Sequence, residues 1–333
     1  MKKMSALILI TLLIVSYNKG IFTEFKSIFL DENNIEETKV ENFNGNNESL
    51  NIESNIDNFQ YIKIGDSKAD VISKIGEPSR IDASEYSFNW YVYNQYKGKF
   101  AMVGIENNTV VALFSNSINS CEAENIKLDD NKKTVNDSYE SLEYRKKGNV
   151  RYIINSNDEY DVIKENKKYI TVFYDLVEGS KVCSYQIINQ KTEDNMKNVY
   201  AAESEEITKS FELQIIYLIN SSREKYGLNR LKYSEKATIS SRKHSEDMMK
   251  KDYFDHINKE NETPFDRMKK EGITYINAGE NIASGQFSAI YAHEALMNSK
   301  GHRKNILGNY KYIGVGVDFG GRYKIYYTEN FYT

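Results

Sequence analysis

The 333-residue chain has little cysteine, little histidine and no excess of positive charge. Two cysteines exclude a disulfide-dense scaffold and a zinc site made of four thiolates. A formal net charge of −4 and a pI near 5.8 argue against a general nucleic-acid binder. Long apolar runs are also scarce. The run that stands out, Met4 to Val15, follows Lys2 and Lys3 and is broken by Ser5 and Thr11. Twelve residues rise about 18 Å as a helix, short of the ~30 Å hydrocarbon core. That pattern predicts an export signal in residues 1–30. No A-x-A site follows it, so both a cleaved signal peptide and a retained membrane anchor are open. With 40% apolar residues the rest can build packed cores, and the length suits about two domains of roughly 100–200 residues.

Residues 31–58 contain nine Asn and eight Asp or Glu against one Lys, and read as a solvated acidic linker. Structure is expected from about residue 60. Tyr61 to Ile64 predicts a short strand, Asp66 or Ser67 caps a helix, and Gly76 and Pro78 stop it. Phe88–Tyr93 predicts a strand, and Phe100–Ile105 with Thr109–Phe114 a hairpin turning at Asn107-Asn108. At a shift of 64 residues Ile62, Lys63, Asp66, Lys68 and Val71 recur as Ile126, Lys127, Asp130, Lys132 and Val135. Tyr169–Tyr174 and Lys181–Ile188 then resemble the first hairpin. Residues 60–192 are therefore expected to be one α+β domain of two degenerate repeats. Cys121 and Cys183 both fall in it. A disulfide and free buried thiols are both open, with free thiols favoured.

A second linker is expected over 193–210 and a second domain over 211–333. Phe211, Ile215, Leu218 and Ile219 mark one face of a helix ended by Gly227. Ser234 caps a helix to about Lys251 whose stripe Ala237, Ser241, His244 and Met248 predicts close packing. Thr263-Pro264-Phe265-Asp266 is a third helix start, and Ser288–Ser299 a fourth helix. Ile313–Val317 and Lys324–Phe331 close the domain as strands joined at Gly320-Gly321. Helices followed by strands give an α+β class.

All four histidines, His244, His256, His293 and His302, lie in this second domain, so imidazole chemistry is confined to it. Three segments bring candidate groups to element ends: Tyr253-Phe254-Asp255-His256, Ala278-Gly279-Glu280-Asn281-Ile282, and Gly301-His302-Arg303-Lys304-Asn305-Ile306-Leu307. The spacings of His256, Glu280 and His302 do not match the local pattern that fixes two imidazoles on one helix. His244 is expected to pack structurally with a hydrogen bond. His293 shares a stripe with Ala289 and Leu296 and is expected on an ordinary helix face, with an inward orientation as the alternative. No serine stands in a G-x-S-x-G context, and this domain lacks cysteine.

The order of these segments, with His244-Ser245-Glu246-Asp247-Met248 before them and Ile313-Gly314-Val315-Gly316-Val317 and Asn330-Phe331 after them, resembles the CAP superfamily (cysteine-rich secretory, antigen 5 and pathogenesis-related proteins) in its cysteine-poor bacterial branch. Ile64-Gly65-Asp66 to Gly76-Glu77-Pro78, with Asn89-Trp90-Tyr91-Val92-Tyr93, looks like the domain that often precedes CAP domains in Gram-positive bacteria. The resemblance implies a three-layer α-β-α sandwich with a cleft that in many members holds a divalent metal on two histidines and two acids. His256 and His302 match the imidazoles and Glu280 the first acid. The second acid position holds Ser299, Leu296 stands where tryptophan is common, and Glu294, one turn away, does not match the motif.

A reduced His256–Glu280–His302 set would suit Zn2+ with an open position for water, with Glu280 as candidate general base. Three functions follow as expectations. The first is an exported or surface-anchored module binding a cell-envelope polymer or protein. The second is a metal-dependent hydrolase of peptide or wall bonds, and the third is lipid binding. Residues 1–208 carry −9 and residues 209–333 carry +5, so a polymeric partner of the second domain is expected to be anionic, as wall polymers and lipid headgroups are; export, not the overall charge, argues against nucleic acid.

Overall fold

The computed structural model describes residues 55–333 and the backbone of the two-residue strand β1 (Val15–Ser16). The export segment and the acidic linker up to residue 54 otherwise lie outside the described residues. No helix among the described residues is long and apolar enough to cross a membrane.

The first domain opens with a 3-10 turn, Ile56–Tyr61, and not with the strand expected at residues 61–64. The Asp66 carboxylate accepts from the Lys63 amide at 3.0 Å, and the Asp66 amide donates to the Lys63 carbonyl. These local bonds curl the backbone away from a ladder. Ser67 then caps α1 (Lys68–Ile75) in a reciprocal box with Asp70, and Gly76 ends it. The strands β2 (Arg80–Ala83), β3 (Asn89–Tyr93), β4 (Ala101–Glu106) and β5 (Thr109–Ser115) follow. Asn107 and Asn108 both have positive φ, as the two-residue hairpin requires.

The second copy repeats this construction. Asp130 accepts from the Lys127 amide at 2.8 Å, as Asp66 does from Lys63. Then come α2 (Lys132–Ser138), a separate ribbon of β6 (Tyr144–Lys147) and β7 (Val150–Ile153), and β8 (Tyr160–Glu165), β9 (Lys168–Asp175) and β10 (Lys181–Asn189). Each turn is pinned to its hairpin in the same way: Gly65 N to Val110 O and Val110 N to Asp66 O in the first copy, Asp129 N to Val182 O and Val182 N to Asp130 O in the second. The copies share one antiparallel sheet ordered β2-β3-β4-β5-β10-β9-β8, so they meet at β5 and β10. Cys121 and Cys183 are both free. Cys121 is exposed, which corrects the expectation of two buried thiols.

After α3 (Gln190–Asn195) the chain reaches the second domain at α4 (Glu205–Lys225), capped by Ser204. The helix begins within the stretch expected as linker. Next come β11 (Lys232–Tyr233), α5 (Glu235–Lys250), α6 (Pro264–Lys270), β12 (Asn277–Ser284), α7 (Ala289–Asn298), α8 (Lys300–Ile306), β13 (Tyr312–Gly320) and β14 (Lys324–Tyr332). The sheet runs β1-β12-β14-β13-β11, with α5 and α6 on one face and α4, α7 and α8 on the other. This is the three-layer α-β-α sandwich.

The layers close because small residues meet. A Cβ built on Gly314 would lie 2.1 Å from the Thr238 amide nitrogen, and one on Gly316 2.0 Å from that of Arg242. Only glycine lets α5 lie this close to β13. Ser241 and Ser245 then reach the carbonyls of Gly314 and Gly316 at 3.1 and 2.9 Å. The opposite side of β13 presents Ile313, Val315 and Val317 to Phe211, Ile215 and Ile219 of α4.

The two domains share an apolar cluster in which Trp90, Phe114 and Phe173 pack with Leu218, Ile290 and Tyr291. Polar bonds flank it. Gln214 donates to the Ala83 carbonyl, Asn298 bonds both Leu176 and Tyr174, and Arg303 reaches Asp175 and Glu178.

Candidate functional site

The three segments singled out in the sequence do converge, at the β12 edge of the second sheet. The segment around Glu280 is a full strand, β12, where the sequence suggested only an element end. Along it Ala278, Glu280 and Ile282 face α5 and α6, and Asn281 faces α8. Gly279 is required there: a Cβ would stand 2.6 Å from the Tyr310 hydroxyl and 3.0 Å from Asn305 Oδ1. That closeness lets Asn305 Nδ2 donate to the Glu280 carbonyl at 3.1 Å and to Asn281 Oδ1 at 2.9 Å. Asn281 Nδ2 in turn donates to the His302 carbonyl at 3.2 Å and to Glu329 Oε2 at 2.9 Å. The amides thereby tie β12 to the helix that carries His302.

The Glu280 side chain is buried and both its carboxylate oxygens are engaged. Arg267 Nη2 donates to Oε1 at 3.0 Å and to Oε2 at 2.7 Å. His256 Nδ1 lies 2.9 Å from Oε1. Burial pushes the carboxyl up, but Arg267, with help from His244 and His256, holds it down at about 2. An ionised Glu280 must accept, so His256 donates from Nδ1, and its Nε2 is left without a bond. The guanidinium is placed by local structure. The Thr263 cap with Pro264 at the first helical position and Asp266 closing the box fixes the start of α6. Arg267 Nη1 then bonds the carbonyls of His256 and Glu262 at 2.8 and 3.0 Å.

The other histidines divide. His244 is fully buried, bonds the Asp255 carbonyl at 3.0 Å, and stands 3.9 Å from Glu280 Oε1. Burial lowers its pKa to about 4. It packs as expected, and it also adjoins the site. His302 is half-buried, and its Nδ1 is enclosed without a hydrogen-bond partner. Burial, then the neighbouring His256, lowers its pKa to about 4, so it is neutral at physiological pH. His293 points to neither the site nor solvent: its Nε2 bonds Ser222 Oγ at 2.8 Å between α7 and α4.

Glu294 lies elsewhere. Its carboxyl accepts from Ser184 Oγ at 2.6 Å and Cys183 Sγ at 3.3 Å, both in the first domain. It belongs to the seam and not to the β12 edge, which removes it as a candidate ligand. Ser299, in the second acid position, caps α8 without a side-chain hydrogen bond. No group of three or more His, Cys, Asp or Glu among the described residues is arranged to hold a metal. The donor set does not fit the expected Zn2+ site, because Glu280 has both oxygens engaged by a guanidinium and no second acid is present. The guanidinium on both oxygens and a pKa of about 2 also unsuit Glu280 as a general base at neutral pH.

Sequence reasoning missed Arg267, the amide chain of Asn281 and Asn305, and Glu329. Glu329 is buried with Oε1 unpartnered, and burial raises its pKa to about 8. A carboxylate amid Ala278, Ile282 and Ala283 demands a cation. That demand, set beside the arginine that follows the Thr-Pro-Phe-Asp helix start, was the available signal.

The ordered layers, the GENIA strand and the GHR helix define a sandwich of one class. The chain belongs to the cysteine-rich secretory protein (CAP) family, with a CAP-associated domain before the CAP domain. Residues 216–331 match the cysteine-rich secretory protein family and residues 64–199 match the CAP-associated N-terminal family. The uncharacterized membrane protein YlbC of Bacillus subtilis is 32% identical over 284 residues, spanning 79% of this chain and 80% of YlbC. The uncharacterized protein YkwD of the same organism is 47% identical over 108 residues, 32% of this chain and 42% of YkwD. Two solved structures share the fold. An extracellular SCP-domain protein from Bacillus anthracis superposes with a TM-score of 0.68 at 22% identity, covering 90% of this chain and 99% of that one. A cysteine-rich secretory protein from Staphylococcus aureus does so with a TM-score of 0.63 at 16% identity, covering 81% and 91%.

Proposed function

We propose that the chain acts at the cell envelope as a binding module, with an anionic polymer or protein surface as partner. The observation that carries this reading is the state of the site. Its ionised carboxylate is neutralised from within, while His256 Nε2 and the His302 ring carry no hydrogen bond. That is a surface for accepting hydrogen bonds from a ligand rather than a set poised for proton transfer and metal chemistry. The +5 charge of residues 209–333 supports an anionic partner. The apolar segment after Lys2-Lys3, and relatives described as a membrane protein and an extracellular protein, support an envelope location.

The test is co-sedimentation of the full chain with cell-wall fragments at low and high salt. Exposed charge pairs are screened within about 8 Å at physiological ionic strength and ~3 Å at 1 M. Retention at low salt that is lost near 1 M supports the reading; salt-insensitive retention contradicts the anionic partner. Cleavage of the fragments would return the metal-dependent hydrolase, and retention by neutral lipid vesicles alone would return lipid binding.

A further inference from the structure

The Arg267 guanidinium stands where the chemistry of the site would otherwise ask for a metal. It caps both oxygens of Glu280 at 3.0 and 2.7 Å, and a third bond from His256 Nδ1 reaches Oε1 at 2.9 Å. The same guanidinium is anchored by two backbone carbonyls, those of His256 and Glu262, so it is held in place and not swung in from solvent. A guanidinium that spans the carboxylate with Nη2 and holds two backbone carbonyls with Nη1 is a directional, fully charged partner. The acids of the cluster are then accounted for. Glu280 is cancelled by Arg267, burial keeps Glu329 a neutral acid at neutral pH, and the imidazoles of His244, His256 and His302 contribute no negative charge. Glu294 is committed to the seam and Ser299 brings no acid. A dication on His256 Nε2 and His302 would therefore sit beside a guanidinium with no unneutralised carboxylate to offset it.

We propose that Arg267 is the resident cation of this site, and that it excludes zinc while it orients His256 through Glu280. Arg267 is in this sense a positioning residue. The proposal stands whether or not the partner is anionic, because it concerns the site before any ligand arrives.

The experiment titrates Zn2+ alone into the full chain, kept in mild detergent, and into Arg267→Met, measuring bound metal by equilibrium dialysis. The wild type is expected to hold no stoichiometric zinc at micromolar metal. Arg267→Met is expected to gain one zinc per chain and a zinc-dependent rise in its unfolding midpoint, and His302→Ala on that background removes both. One zinc per wild-type chain, lost in His302→Ala, overturns the proposal. A folded Arg267→Met that still binds none overturns the exclusion. If Arg267→Met does not fold, the wild type decides alone through its imidazole 15N spectrum: His256 signals unchanged by zinc, with Nδ1 protonated, support the proposal, and a zinc-induced shift at Nε2 overturns it. The zinc titration uses no wall polymer, so failure of polymer binding leaves this result readable.

Discussion

Two buried glutamates allow a direct comparison. At the domain seam the Glu193 side chain, 1% exposed, meets Arg145 at 3.3 Å, Lys147 at 2.6 Å and the Tyr86 hydroxyl at 2.6 Å. At the β12 edge the Glu280 side chain, also 1% exposed, meets Arg267 and His256. Each carboxylate stays ionised because a buried arginine overrides its desolvation. The surroundings differ. At the seam both cations are tied down: Arg145 also bonds Thr171 and the Tyr291 hydroxyl, and Lys147 reaches the Glu193 carbonyl as well, while Glu85 Oε1 and the Gln186 amide nearby are buried without a partner. At the β12 edge the partners of the partner are left open, with His256 Nε2 free and His302 Nδ1 enclosed without a bond. The lesson is that a buried ion pair is not by itself a functional sign.

The largest expected effect breaks the seam. Glu193→Ala strands the side chain of Lys147, which is fully buried, and should cost roughly 3–5 kcal/mol, read by denaturant unfolding of the full chain. A loss under about 1 kcal/mol, in the range of an exposed pair, would mean the seam is wet in solution. Arg267→Met should cost less than that roughly 3–5 kcal/mol, because the His256 hydrogen bond to Glu280 remains when the guanidinium is gone. If it costs more than Glu193→Ala, the two sites are not organised as described.

Acid and base should separate the regions more gently. His244, His302 and His293 have pKa values lowered to about 4, 4 and 3 from 6.5. The unfolded chain then binds more protons below about 6.5, so their contribution is complete above that pH and is lost as pH falls toward 4 and below. Glu85 and Glu159 of the first domain are raised to about 7 from 4.5, by burial in both cases, with Glu294 across the seam adding to the rise at Glu159. Their contribution is complete below about 4.5 and is lost as pH rises toward 7. Unfolding followed across pH should show His293→Phe flattening the acid limb and Glu159→Gln flattening the loss toward neutrality. Unchanged limbs would sink the assignment.

The smallest effect on stability is expected from His302→Ala. Its ring nitrogen Nδ1 makes no bond to lose, so the change should stay near 1 kcal/mol. Its effect on wall-fragment retention should nonetheless be large. A large stability loss with unchanged retention would make His302 a packing residue like His293.

Much of the fold was legible where local chemistry decides it. The Ser67 and Thr263 caps, the Asn107-Asn108 turn and the 64-residue repeat each announce themselves within a few residues. The strand β12 was not legible as a strand. Asn277 to Ser284 holds glycine, glutamate and two asparagines, which are depleted from strands, and its pairing to β14 reaches almost fifty residues ahead. Within the site, the His256, Glu280 and His302 positions were legible from segment order. Arg267 was not, because its partner lies on another element and nothing in the spacing of 267 and 280 sets their contact. Glu294 misled for the same reason: its neighbour in sequence, His293, says nothing of the first domain against which α7 packs.

The β12 edge is proposed as a binding site rather than a catalytic one. Wall fragments incubated with the full chain, followed at once for retention and for release of soluble products, test that most directly. The expected result is retention that falls in His302→Ala and at high salt, with no products. Products whose release is abolished by both Glu280→Gln and His302→Ala would contradict it.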